Sequence, residues 1–233
     1  MGDWPEFEVE RLAGALLRVD LYEQRYVTAG EYPSVVNHLL RSASAACLLD
    51  REDEALRLIA RAAERTVEWV RAARESKVRP SSFTDLAFTR GWLAIAIEPP
   101  GVGAEEAARN VVAMTGWQPA GPVHNARMVA AAFLRDWATV DGAAKLCDIS
   151  DAGLGAPLRR VAGSIAAGDE AGVRKGILNW LQEKMEATMT HEWGAYNEVP
   201  IEVSGALALA ERGGRAVPVA SNRVLTRYRA PAA

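Results

Sequence analysis

Side chains that usually carry chemistry are scarce in this chain. Its 233 residues include two cysteines, Cys47 and Cys147, and three histidines, His38, His124 and His191. A structural zinc site takes about four ligands, and no CxxC or Cys/His spacing supplies them. Both cysteines sit in alanine-rich apolar segments and read as reduced core thiols behaving as small hydrophobes. His191-Glu192 opens like a zincin motif, but no second histidine follows. No glutamate stands three residues before a histidine, which removes the Glu-x-x-His di-iron bundles. A nucleophile elbow, Gly-x-Ser-x-Gly, is missing as well. Gly101-Val102-Gly103 lacks both a third glycine and a preceding strand, and no phosphate-loop motif occurs elsewhere. No metal, cofactor or catalytic residue is expected from these patterns. The 30 acidic residues leave open an acid–base pair assembled only in three dimensions, and their number alone carries no information.

Two further shortages narrow the class. No window approaches the ~20 uninterrupted apolar residues of a membrane span. The N-terminal MGDWPEFEVE is acidic, with no basic region leading into an apolar run, so no signal peptide is apparent and the cytoplasm is the expected location. Strand signals are confined to Ala216–Ala220 and Val224–Leu225, and Pro218 demotes the first of these.

What remains is helical material. Hydrophobic residues make up 49% and charged residues 24%, the profile of a folded globular protein. The apolar share leans on alanine, the best helix former. The net charge of −3 argues mildly against a nucleic-acid partner and is compatible with a basic protein partner. The expected fold is all-α: a multi-helix bundle of antiparallel helical hairpins with a short extended C-terminal tail. One domain over 1–233 is expected, with 1–115 and 116–233 as loose halves if it divides.

Along the chain, 7–19 is a modest amphipathic segment, and Tyr22, Tyr26 and Tyr32 decorate a connection. Pro33 opens a helix to about Leu49. An acidic turn, Asp50–Glu54, starts the strongest helix, where Leu56, Ile59, Ala60, Ala63, Val67 and Val70 keep helical spacing. Its other side carries a solvated charge run, with Arg61–Glu64 and Glu68–Arg71 spaced to pair at i, i+3. Helices are expected from about Ser82 to Ile97, over Ala104–Met114 and over His124–Trp137. Asp141-Gly142 then opens a short helix to Cys147, and Leu154–Ala167 follows. The acidic-turn hairpins around residues 50 and 168 resemble one another, each placing Asp-Glu-Ala at the start of a long helix. Two loose copies do not make a solenoid.

The organising stretch is Asp169–Tyr228. Val173, Ile177, Trp180, Leu181 and Met185 recur at helical spacing, with Gly168 closing the segment before and Asp169 able to cap the new first turn. A second helix carries Val199, Val203, Ala206, Leu207 and Ala210. Pro200 is tolerated in its first turn, and Gly213-Gly214 supplies its left-handed end. Between them His191–Glu198 sets aromatics beside carboxylates. Of seven tryptophans, those within helices read as core, whereas Trp193 and Trp117 lie in glycine-containing connections suited to protein contact.

This C-terminal pattern resembles the immunity protein 49 family, the cytoplasmic antidotes found beside polymorphic toxins in bacteria. The matching features are a helix ending near His191-Glu192-Trp193, a proline-started helix with Ala206–Ala210, then Arg212-Gly213, a Val-rich segment and Ser221–Tyr228. The hairpin around Cys47–Leu56 is similar in texture to the family's N-terminal half. Asn222–Leu225 departs from the Tyr-Leu-Pro-like ending expected there. The resemblance implies inhibition of a cognate toxin by direct contact, without a cofactor, the toxin being for example a basic nuclease or deaminase that an acidic edge would steer. Glu192, Trp193, Tyr196 and Glu198 are the partner-binding residues so implied. A helical scaffold or regulatory module without a toxin partner, and an α-helical enzyme with an unrecognised site, remain the alternatives.

Overall fold

The computed structural model describes residues 6–75, 84–101, 103–113, 123–146, 154–188 and 200–231. Eleven α-helices run through these residues: α1 Glu6–Leu16, α2 Val19–Thr28, α3 Tyr32–Leu48, α4 Glu52–Arg74, α5 Thr84–Ile97, α6 Ala104–Ala113, α7 His124–Phe133, α8 Trp137–Leu146, α9 Gly155–Ala167, α10 Glu170–Thr188 and α11 Ile201–Arg212. A single 3-10 turn, Thr226–Tyr228, follows. Among the described residues there is no strand, only one bridge between Val219 and Arg229 in the tail. The all-α fold is thus the one the periodicity predicts. No described helix is long and apolar enough to cross a membrane.

Five helix ends are built the same way. Gly30 (φ 70°), Asp50 (φ 57°), Arg135 (φ 62°), Gly168 (φ 71°) and Gly214 (φ 77°) each turn the chain in the left-handed region. The amide of the next residue then donates five positions back: Glu31 to Tyr26, Arg51 to Ala46, Asp136 to Ala131, Asp169 to Ser164 and Arg215 to Ala210, all at 2.8–2.9 Å. This 6→1 bond satisfies a carbonyl that the helix end would otherwise leave open. It folds α2 onto α3, α3 onto α4, α7 onto α8 and α9 onto α10 with only two or three residues between helices. The likeness of the chain around residues 50 and 168 is therefore a shared helix stop, which other junctions have too.

Several boundaries differ from the sequence reading. Tyr22 and Tyr26 lie on a helix, α2, not on a connection. The helix expected over His124–Trp137 ends at Phe133, because Arg135 takes the left-handed turn. Asp136 then caps α8, accepting from the Thr139 amide at 3.2 Å and its hydroxyl at 2.6 Å. Asp141-Gly142 lies inside α8 instead of opening a helix. Pro200 stands one residue before α11, as its cap. Asp169 does cap α10, through the Gly172 amide at 2.9 Å.

The core is organised on α5. From Ala87 to Ile97 every residue except Arg90 is buried, so this helix has no wet side. An aromatic ladder crosses it: Trp69 of α4 stands 4.7 Å from Phe88, Phe88 6.2 Å from Trp92, and Trp92 6.4 Å from Phe133 of α7. Two glycines let its neighbours approach. A Cβ on Gly91 would lie only 2.1 Å from Thr66 Oγ1 of α4, and one on Gly205 of α11 would meet Leu93 Cβ at 2.6 Å and its carbonyl oxygen at 2.9 Å.

The tail is strapped back across the bundle. Leu225 N–H donates to Ser204 Oγ at 3.1 Å and Thr226 N–H to Glu52 Oε1 at 2.7 Å. Arg227 reaches the Ile97 carbonyl at 2.7 Å and Glu98 at 3.0 Å. The tail's own Val217, Val219, Val224, Leu225 and Tyr228 are buried.

Adding a methyl group at Gly205 should force α11 away from α5 and lower stability by about 1–3 kcal/mol, despite alanine's better helix propensity. The same change at Gly163, a helical position with nothing within 4 Å, should raise stability by about 0.5–1 kcal/mol. Urea unfolding of Gly205→Ala and Gly163→Ala measures both, and the opposite signs are the check.

Candidate functional site

The residues singled out for partner binding, Glu192, Trp193, Tyr196 and Glu198, lie outside the described residues, as do Trp117, Cys147 and His191. The structure does describe the two helices that precede and follow Glu192, Trp193, Tyr196 and Glu198 in sequence. On α10, Val173, Ile177, Trp180 and Leu181 are buried, as the spacing predicts. On α11, Val203, Ala206, Leu207 and Ala210 are buried, with Ile201 beside them.

Glu202, in the first turn of α11, is the polar anchor of this region. It pairs with Arg90 of α5 at 2.7 Å, and Arg90 also donates to Asn37 of α3 at 3.1 Å. Arg90 is the lone charge between Leu86 and Ile97. Leaving it unmatched beside so much apolar surface would cost several kcal/mol, on the order of 3–5 for a buried pair stripped of one partner. Burial would raise the Glu202 carboxyl, but Arg90, Lys184 and the helix amide outweigh it and hold its pKa at about 2.

A second constellation joins α2, α3 and α4, and the sequence patterns did not single it out. Glu23 of α2 is buried, and its two carboxylate oxygens are taken by Arg61 and by Arg65 Nε, the latter at 2.7 Å. Arg61 also meets Asp20 at 2.7 Å, and Arg65 meets Glu68 at 2.6 Å. The charged side of α4 is thus not simply a solvated face paired along its own axis. Its arginines reach across to α2, because a buried glutamate there binds them better than exposed neighbours do. His38 of α3 stands against this group, 5.0 Å from the Tyr22 ring and 6.4 Å from the Tyr26 ring. The sequence signal available was a tyrosine pair at i, i+4 with a glutamate between them.

Chemically, these groups hold helices together. Cys47 is half-buried, and burial, with Glu52 adding and Arg229 opposing, pushes its thiol up to about 12. A thiol so far from ionising is a poor nucleophile at neutral pH. Among the described residues no three His, Cys, Asp or Glu side chains are grouped to hold a metal ion. No family model, no curated protein and no solved structure matches the chain.

The Glu202 carboxyl has a depressed folded-state pKa, so its stabilisation is fully present above about 4.5 and is lost as pH falls through about 2. The loss should reach about 3 kcal/mol. Glu202→Gln should be less stable at neutral pH and should lose this part of the acid dependence, as read from urea midpoints between pH 6 and pH 2.

Proposed function

We propose that this protein is a non-catalytic binding protein that acts in the bacterial cytoplasm and neutralises a cognate toxin by direct contact. The observation that carries this reading is the Asp169–Tyr228 stretch. Its resemblance to the immunity protein 49 family coincides with two helices, α10 and α11, that have buried inner faces and flank the residues Glu192, Trp193, Tyr196 and Glu198 in sequence. The reading is further supported by how the clustered ionisable groups are spent: Glu23 on two guanidinium groups and Glu202 on Arg90. A basic nuclease or deaminase suits the acidic residues of that connection, since complementary charge speeds encounter. No cofactor enters this mechanism.

Co-expression with the product of the adjacent open reading frame should yield a stable complex. Trp193→Ala and Tyr196→Ala should each weaken it by about 2 kcal/mol or more, about thirtyfold in Kd, as expected of buried aromatic anchors. Calorimetry on folded variants measures this. Unchanged affinity removes these residues from the interface, and the absence of any complex removes the toxin-neutralising reading in favour of a scaffold.

A further inference from the structure

Helices α1 and α2 lie against the rest of the molecule mainly through α3. Among the described side chains of these two helices, Leu12, Leu16 and Val19 are the buried apolar ones. The other contact is the aromatic and charged cluster around His38. Its ring packs edge-on against Tyr22 and Tyr26, and its Nε2 atom is buried with no hydrogen-bond partner among the described residues. The charges facing it are Glu23 from α2, Arg41 from its own helix and Arg61 from α4. Both Glu23 oxygens are already engaged by Arg61 and Arg65, and Asp20 is engaged by Arg61.

We propose that protonation of His38 undocks α1 and α2 from α3, so that this helix pair is an acid-operated flap. A proton on Nε2 would create a cation away from water, facing two guanidinium groups, with the nearest carboxylate already shared. Only the neutral ring suits the docked arrangement. Burial, then Arg41 and Arg61 against Glu23, accordingly push His38 below its ordinary value of 6.5. The sign follows: the docked state binds the proton less well than the open state. Docking is therefore fully favoured above about 6.5 and weakens as pH falls below it. Opening uncovers Leu12 of α1 and, on α3, Ala45 and Leu48, which form one buried cluster with it.

Hydrogen exchange on the full chain between pH 8 and pH 5, corrected for the intrinsic rate, tests the flap. Protection of 6–28 should fall as pH drops below about 6.5, with a slope of at most about tenfold per pH unit, the limit for one linked proton, while α9 and α10 keep theirs. In His38→Phe, which keeps a ring between the tyrosines, protection of 6–28 should stay flat. If that variant does not fold, NMR titration of the wild-type His38 ring decides, with a value below 6.5 expected. A ring titrating at or above 6.5, a flat profile in the wild type, an unchanged slope in His38→Phe, or an equal loss across all helices would each overturn the proposal.

Discussion

The structure depends on a helix with no side turned to water. Because α5 is buried all round, every face of it has to be matched by a neighbour, and close approach is achieved with missing side chains. Gly91 lets Thr66 of α4 come near, and Gly205 lets α11 lie on the Leu93 backbone. The same demand explains the polar centre of the molecule. Arg90, the one charge between Leu86 and Ile97, is met by a carboxylate and an amide from two other helices, Glu202 and Asn37. The aromatic ladder from Trp69 to Phe133 fills what remains.

Around this centre the chain is wound by repeated use of one turn. A single left-handed residue ends the helix, and the amide after it closes a carbonyl of the last turn. Glycine fills three of these positions; Asp50 and Arg135 fill the other two. Aspartate tolerates that conformation comparatively well, whereas a long cationic side chain carries a local cost on the order of 1 kcal/mol. The helix bundle around α5 is strong enough to hold Arg135 there.

Much of this was legible from residue order, and the failures have identifiable causes. The inner faces of α10 and α11 follow directly from the spacing of Val173, Ile177, Trp180 and Leu181 and of Val203, Ala206, Leu207 and Ala210. The glycine at 168 announced its turn, and the Asp169 cap followed from it. Arg135 announced nothing, so two short helices read as one. The α2 segment, VDLYEQRYVT, reads as a polar connection because its glutamate points inward. Only the arginines of α4, about forty positions later in sequence, make that burial tolerable. Pairing rules along one helix therefore gave Arg61 to Glu64 and Glu68 to Arg71, whereas Arg61 pairs with Asp20 and Glu23 of α2 and Glu68 with Arg65. The candidate interface at Glu192, Trp193, Tyr196 and Glu198 was legible only as composition and resemblance, and it falls outside the described residues.

The strap at the C-terminal end also bears on the order of assembly. Thr226 and Glu52 are 174 positions apart, and Arg227 and Ile97 are 130 apart, whereas each hairpin closes across a few residues. Closing a large loop costs entropy that only prior structure can offset. The hairpins are thus the early, local events, and the latch across the first turn of α4 and the last turn of α5 is among the last contacts to form.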